Sequence, residues 1–393
     1  MVIHLFYLLI LLFLSKATSA AAETGKVIVG YWGVWDSKPL PIKYIPWSQI
    51  THINFGFATV NKDVVPALKN QGALSNLVKE AHENNVKVLL SIGGWRTRLP
   101  CNQSIITNTT TEDHLLPLLE QFREALGDDK LLTLGVGATP YPYSNVSGYQ
   151  QVVDWITIMA HDTHVGRPTI GANSPLYNND ASSNSALEAW NAWMSIPSQQ
   201  RVLGVPFYGY ASKPIRNKKD GDLEKLTGPA HSMRPPGDAD DPMLPDTCKR
   251  GYSGLWRWRS LRNTGILLDE SRAGKHWIKH WDTSSQTPWL YNSLSNVVIS
   301  YDDPQSVRLK TTFAMCQQAR GIGVWDLAYD YYTSGNGQLL TAIHDALNTT
   351  HPKCDLTLIH PDADPVDSIG TYILPQSIFF AFLYVIPMVL FQL

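Results

Sequence analysis

Several apolar segments of the chain end close to side chains that could hold a ligand. Trp95 and Asp162 each follow closely on such a segment, and Trp325 lies near the end of another. The chain is also rich in large rings, with 13 Trp and 17 Tyr in 393 residues. Many of these rings must fill a core, where single tryptophans usually pack. The remainder suits a groove for flat ligands such as sugars, whose C–H-bearing faces pack on aromatic rings.

These side chains belong to an alternation of short apolar strands and amphipathic helices. Strands are predicted at Lys26–Trp32, within Trp47–Phe57, and at Lys87–Ile92, Leu131–Ala138, Val152–Met159, Arg201–Gly209 and Gly321–Leu327. Helices are predicted at Leu74–Glu83, Asp113–Leu126, Ala186–Met194, Gln305–Ala319 and Gly335–Leu347. Buried strands that alternate with helices predict a parallel sheet. We therefore expect an α/β fold, a TIM (β/α)8-type barrel, whose active-site face lies at the C-terminal ends of the strands.

One stretch is too long to be a simple connection between a strand and a helix. Residues 210–300 are rich in Gly, Pro, Asp and Trp, which predicts a small α+β insertion with extra strands. Such a wall would deepen a cleft on the barrel. The barrel region is expected to span residues 24–350, with this insertion within it.

Both ends of the chain are typical of targeting segments. Residues 1–20 hold a short apolar run followed by small residues, which predicts a cleaved signal peptide, with an uncleaved anchor as the alternative. Residues 351–370 form a polar stalk before the tail 371–393, and the apolar run Ile378–Leu393 in this tail, about 16 residues, is short for a membrane-spanning helix. This tail fits a glycolipid-anchor signal, with a transmembrane tail or a poorly ordered end as alternatives. We expect a secreted protein, extracellular or at the outer cell surface and cell wall, that meets a membrane only through this lipid anchor or tail.

Other features agree with export and limit the partners. Four N-glycosylation sequons begin at Asn102, Asn108, Asn145 and Asn348. Four cysteines, Cys101, Cys248, Cys316 and Cys354, allow three disulfide pairings, and their wide spacing argues against a zinc site. The net charge of -2 without a basic stripe argues against nucleic acid as a partner. No metal or cofactor is expected.

Six segments, in order along the chain, resemble glycoside hydrolase family 18, the chitinase family, and its fungal members most closely. They are Gly30–Trp32, His52–Phe57, Ser91–Trp95 (SIGGW), Met159–Asp162, Leu203–Gly209 and Ile299–Asp303, followed by the last barrel strand with Trp325. The resemblance covers most of Lys26–Leu347. It implies chitin or chito-oligosaccharides as the ligand, and retaining hydrolysis in which the substrate's own acetamido group is the nucleophile.

The resemblance also assigns binding roles to particular residues. Trp325 matches the Trp beneath the scissile sugar, and Tyr31 and Trp95 match residues of the groove. Asp162 matches the acid that braces the acetamide, and His161 stands where the family usually has Tyr. In the same segment, Met159 is expected to pack in the barrel interior. Weaker candidates are Asn173 and Tyr177, in a stretch that resembles the loop after the sixth strand.

The family's catalytic motif is missing from this chain. In the family, DxxDxDxE on the fourth strand carries the acid Glu, and no such motif occurs in the sequence. Only residues 96–130 separate Trp95 from the next predicted strand, whereas two βα units need about 60 or more. We therefore predict seven recognisable strands, with the break near residues 96–100. The strands at Lys87–Ile92 and Leu131–Ala138 should then be neighbours, paired directly or across a gap.

No other carboxylate is expected to replace the missing acid. Glu112, Asp113, Glu120 and Glu124 lie in or beside one helix and should face solvent or the outer surface. Three interpretations remain, in this order. The chain is an incomplete version of an ordinary chitinase, a stable chitin-binding, lectin-like protein without catalysis, or a product that folds poorly. For the chain as written, we expect no hydrolysis above background.

Overall fold

The computed structural model describes residues 25–60, 66–68, 70–93, 112–140, 146–165, 167–178, 184–218, 225–241, 251–349, 354 and 388–392. The predicted signal peptide and most of the predicted stalk lie outside these residues. So do Trp95, Cys101, Cys248 and the sequon residues Asn102, Asn108 and Asn145. Asn348 is described, and its side chain is exposed.

Eight strands form the central ring, and short strands and a second sheet are attached to it. The ring strands are β1 (Val27–Gly33), β2 (His52–Val60), β4 (Lys87–Ile92), β5 (Leu132–Val136), β6 (Trp155–Met159), β7 (Arg201–Pro206), β13 (Gly321–Trp325) and β16 (Met388–Gln392). The remaining strands are β3 (Pro66–Ala67), β8 (Tyr208–Ser212), β9 (Leu255–Arg257), β10 (Trp277–Asp282), β11 (Thr287–Asn292), β12 (Val297–Ser300), β14 (Tyr332–Thr333) and β15 (Asn336–Gly337).

Seven ring strands are parallel, which confirms the predicted barrel and its seven recognisable strands. They pair in the order β4, β2, β1, β13, β7, β6 and β5. Alternation along β1 shows how the sequence builds the two faces, since successive side chains of a strand point to opposite sides. Ile28 and Trp32 pack in the main hydrophobic core, whereas Val29 and Tyr31 belong to separate clusters with residues of other ring strands.

The eighth ring strand comes from the C-terminus and runs against the others. β16 pairs antiparallel with β4 on one side and with β5 on the other. The sequence predicted that β4 and β5 would be neighbours, directly or across a gap. The structure has the gap, and β16 occupies it. We call this place, between β4 and β5, the seam.

The helices cover the outside of the ring. They are α1 (Gln71–Glu83), α2 (Glu112–Leu126), α3 (Val146–Tyr149), α4 (Ala186–Ala192), α5 (Trp258–Asn263), α6 (Pro304–Cys316) and α7 (Gln338–Leu347). α1 buries Leu74, Leu77 and Ala81, the apolar positions whose helical spacing predicted it. α6 begins at Pro304, and the side chain of Asp303 caps it by accepting a hydrogen bond from the backbone N–H of Ser306.

The predicted insertion contains an antiparallel sheet of five strands. Its strand order in space is β10, β11, β12, β8 and β9. In the sequence, its first strand, β8, follows directly after β7, and its last strand, β12, ends just before α6. A disulfide joins Cys316, at the end of α6, to Cys354 in the predicted stalk. In the described part of the chain, no helix is both long enough and apolar enough to cross a membrane.

Candidate functional site

A row of aromatic rings lies at the C-terminal ends of the first, second and last parallel strands. Trp325, half-buried at the end of β13, stacks on Phe57 with ring centroids 5.9 Å apart. Phe57 in turn stacks on Trp35 at 5.6 Å. Tyr31 lies on the inner side, 4.9 Å from Trp325. Because Trp35 is 44% exposed and Tyr31 is buried, the row runs from the surface into the barrel mouth.

Two glycines allow the outer part of this row to form. A Cβ atom at Gly33 would lie 2.3 Å from the ring of Trp35, and one at Gly56 would lie 3.0 Å from it. Any larger residue at Gly33 would therefore push Trp35 away from the strand ends. The sequence analysis did not single out Trp35 or Phe57. The signal was present, because Phe57 ends the second family-like segment.

Asp162 and His161 follow β6 and share a tyrosine from β8. The hydroxyl of Tyr208 donates to Asp162 Oδ1 at 2.7 Å and lies 3.0 Å from Nδ1 of His161. Since the phenol has one proton to donate, this arrangement needs the proton of His161 on Nδ1, so that the ring donates to Tyr208. Burial, followed by the charge of Asp162, raises the pKa of Tyr208 well above its usual value. Tyr208 therefore stays a neutral donor that holds Asp162 in place.

A small cavity lies next to this group, at the junction of barrel and insertion. Tyr210, Arg234, Asn173 and His164 are among the residues that line it. The guanidinium of Arg234 stacks 4.8 Å from the ring centre of Tyr210. Burial and the nearby charge of Asp162 raise the pKa of Tyr210 well above its usual value. The cavity thus offers neutral hydroxyl and amide groups beside one cation.

The two weaker candidates from the sequence separate in the structure. Asn173 is buried beside the site, where its Nδ2 donates to the carbonyl of Tyr208 at 3.2 Å. Tyr177 instead packs edge-on against Phe313 of α6, in the main hydrophobic core. Asn173 therefore supports the Asp162 group, whereas Tyr177 is part of the packing between helices and barrel.

A pair of carboxyl groups that the sequence analysis missed lies beneath the aromatic row. Asp36 follows β1 and Asp326 follows Trp325, and they are 2% and 1% exposed. Burial raises the pKa of Asp36 to about 6. Burial and then the charge of Asp36 raise the pKa of Asp326 well above its usual value. Neither oxygen of Asp326 has a hydrogen-bond partner among the described residues, and neither carboxyl group is exposed enough to reach a sugar bound at the barrel mouth.

The barrel interior beside the seam combines polar and apolar groups. Leu390 of β16 is fully buried in a cluster with Tyr31, Leu89 and Met159. The Ser91 hydroxyl, the Tyr31 hydroxyl and the Asn54 amide oxygen are buried there, and none has a hydrogen-bond partner among the described residues. Buried polar atoms are normally paired, so these three groups are poorly satisfied by the described residues around them.

The structure brings most of the predicted site residues to one end of the barrel. Tyr31 and Trp325 are in contact, Met159 packs inside the ring as predicted, and His161 and Asp162 join through Tyr208. Trp95 lies outside the described residues. Glu120 and Glu124 are exposed on α2, as expected for carboxylates that do not replace the missing acid. Within the described ranges, no three His, Cys, Asp or Glu side chains are placed to hold a metal ion.

An α/β barrel with aromatic rings at the C-terminal ends of its strands has a ligand-binding mouth suited to molecules with flat apolar faces. The model of family 18 of the glycosyl hydrolases matches residues 27–104 and 97–330. The chain therefore belongs to glycosyl hydrolase family 18. The two matched pieces meet at residues 97–104, the region in which the sequence predicts the break.

Fungal proteins are among the similar sequences and structures. A chitinase-like effector of Moniliophthora roreri is 30% identical in an alignment that covers 82% of this chain and 95% of that protein. A chitinase-like effector of Moniliophthora perniciosa is 26% identical and covers 81% of this chain and 87% of that protein. The crystal structure of a chitinase from Rhizomucor miehei matches with a TM-score of 0.70 and 27% identity, over 82% of this chain and all of that one.

Proposed function

We propose that this chain binds chitin or chito-oligosaccharides at the barrel mouth and does not hydrolyse them. Membership in the family and the similarity to a solved fungal chitinase support the ligand class. The row of Trp35, Phe57 and Trp325 offers stacking surfaces for the faces of successive sugars. Asp162, held by Tyr208, offers a carboxylate for an acetamido N–H.

One observation is the main support for the proposed absence of hydrolysis. The ring position between β4 and β5 is filled by a strand whose inward residue is Leu390. A general acid must come within about 3 Å of the glycosidic oxygen, and a leucine offers no proton. Asp36 and Asp326 are too buried to serve instead, and Asp162 already accepts a hydrogen bond from Tyr208.

The test measures binding and hydrolysis on the same purified full chain. We expect retention on chitin beads and measurable affinity for a chito-oligosaccharide in calorimetry, with no release of soluble sugar above a buffer blank. Trp325→Ala should weaken binding about tenfold, since a stacked ring contributes about 1.4 kcal/mol. The matched control is Tyr44→Ala, which removes a ring that is 59% exposed and absent from the row.

The outcomes separate binding from catalysis. Release of chitobiose by a verified sample would contradict the absence of hydrolysis. Failure to bind both beads and oligosaccharide would contradict the ligand class. Equal affinities for Trp325→Ala and Tyr44→Ala would show that the sugar does not use the aromatic row.

A second candidate is that the gene's full product is an active chitinase and this chain lacks one βα unit of it. The family match in two pieces that meet at residues 97–104 favours this reading. It requires that the genomic DNA between the codons for Trp95 and Cys101 encodes a helix followed by a DxxDxDxE-like strand. Sequencing that region decides the question, and an uninterrupted frame there would exclude it.

We also propose secretion to the cell surface or wall, with glycosylation at the four sequons. The signal-peptide pattern of residues 1–20 and the four sequons support this location. Mass spectrometry of the mature protein tests it through the first residue, the glycan masses and the last residue. A chain that keeps residues 1–20 and carries no glycan would contradict it.

A further inference from the structure

We propose that the seam between β4 and β5 is a binding site for an extended apolar peptide strand. Its occupant in the intact chain is the chain's own C-terminal segment Met388–Gln392. The site goes beyond sugar binding, because it recognises polypeptide backbone rather than carbohydrate.

The pairing on both sides of the segment makes this a complete strand site. Leu390 is opposite Ser91 of β4 and Thr133 of β5, and the neighbouring residues continue both ladders. At the C-terminal end of β16, the backbone N–H of Gln392 donates to the carbonyl of Leu131 at 2.8 Å. Without the segment, β4 and β5 would each present a row of unpaired backbone groups, and a strand that satisfies both rows binds by β-augmentation.

Three features indicate that β16 is a segment bound in the seam rather than a regular strand of the barrel. β16 is antiparallel to both neighbours, whereas the other ring pairings are parallel. It is separated from the preceding helix, α7, by residues 348–387, whereas connections from other described helices to the next ring strand, such as residues 127–131 before β5 and 317–320 before β13, are short. Its inward residue is also poorly matched, because Leu390 faces the Ser91 hydroxyl, which has no described partner. The seam therefore accepts an apolar strand through its backbone rather than through complementary side chains.

The proposal conflicts with simultaneous use of these residues as a membrane anchor. A segment whose backbone is paired between β4 and β5 cannot also lie in a bilayer or be removed with an anchor signal. The anchor prediction for residues 371–393 and the strand site thus give different mature proteins. The strand site requires a folded chain that retains residues 388–392.

Cysteine pairs in the full chain test the register. Residues directly opposite in an antiparallel pair have Cα atoms about 4.5–5.5 Å apart, within the range that a disulfide needs. After folding and mild oxidation, we expect cross-links in Leu390→Cys/Ser91→Cys and in Leu390→Cys/Thr133→Cys. The matched control is Leu390→Cys/Leu90→Cys, since Leu90 packs in the outer core while Leu390 packs inside the ring. The proposed register would be overturned if the control pair cross-linked as efficiently as the other two pairs. It would also be overturned if none of the three pairs cross-linked.

Hydrogen exchange tests the pairing of residues 388–392 on the unmodified chain, so no substitution can affect the result. We expect amides of residues 388–392 to exchange on the order of a hundredfold more slowly than in an unstructured peptide, together with β4 and β5. Exchange of this segment at the unstructured rate, in a chain whose β6 and β7 are protected, would overturn the proposal. A mature, folded protein that ends before Met388 would overturn it as well.

Strand exchange tests whether the seam is a site. A protease sequence introduced within residues 355–370 of the full chain lets the tail be cut after folding. A labelled, lysine-flanked peptide of residues 387–393 should then enter the cut protein. The same peptide with the Leu390→Asp change should bind at least about tenfold more weakly, because its charge would be buried. Equal binding of the two peptides, or entry of neither although the cut tail has left the protein, would show that the seam is not a strand-binding site.

Discussion

At the junction of β12 and α6, the buried hydroxyl of Ser306 donates to Asp302 at 2.6 Å and accepts from the backbone N–H of Asp303 at 3.0 Å. At the seam, the equally buried hydroxyl of Ser91 has no partner among the described residues. Lys310 pairs with Asp302 at the junction, whereas Leu390 lies among the polar groups at the seam. Both regions are interior, but the Ser306 hydroxyl has two polar partners and the Ser91 hydroxyl has none among the described residues, while Asp302 Oδ2 at the junction also lacks one.

The difference follows from where the partners come from in the sequence. The junction groups lie within nine consecutive residues, 302–310, so a change elsewhere in the chain leaves the set intact. The partners of Ser91 and Tyr31 must come from a separate strand, and the strand now in place starts at residue 388. The polar groups of the seam therefore depend on a strand that is distant in the sequence, whereas those of the junction do not.

The largest effect is expected at the junction, for Lys310→Met. This change leaves the buried Asp302 without its cation, and removing one partner of a buried ion pair costs about 3–5 kcal/mol. Urea unfolding measures the loss. The double variant Lys310→Met/Asp302→Asn should recover much of it, because no uncompensated charge remains. A single variant that loses less than about 1 kcal/mol would show that the pair is not what stabilises this region.

The next largest effect is expected at the seam, for Leu390→Ala. Truncating a buried leucine costs about 2–5 kcal/mol through lost burial and the cavity left behind. The matched control is Leu294→Ala, which truncates a leucine that is 73% exposed. Unfolding curves that coincide for the two variants would show that β16 does not close the ring in solution.

The sequence predicted the parallel part of the barrel well, because each of its strands is indicated by an apolar run within the strand itself. Buried runs such as Val27–Gly33 and Arg201–Pro206 form the strands that their apolar patterns predicted. Trp325 and Asp162 lie at strand ends near the barrel mouth, as expected from their place in the sequence. Trp35 and Phe57 were missed, since only the fold brings the short helical turn after β1 against the end of β2.

The strand β16 could not be predicted from local pattern. Residues 378–393 are apolar except for Gln392, and composition alone does not distinguish a membrane segment from a strand buried on both sides. The vacancy that β16 fills exists only because residues far away in sequence close the rest of the ring. The pairing of Leu390 with Ser91 therefore depends on contacts across about 300 residues of chain.

The smallest effect gives the sharpest comparison, because both serines are fully buried and their hydroxyl groups differ in their hydrogen-bond partners. Ser306→Ala should cost about 1–2 kcal/mol, since it removes a hydroxyl that two buried groups use and leaves one of them unpaired. Ser91→Ala should be neutral or slightly stabilising, because it removes an unpaired polar atom from the interior. Urea unfolding of both variants beside the wild type measures the difference. A cost for Ser91→Ala that equals the cost for Ser306→Ala would show that the seam hydroxyl has a partner. The seam would then be as well satisfied as the junction, and the contrast between the two regions would fail.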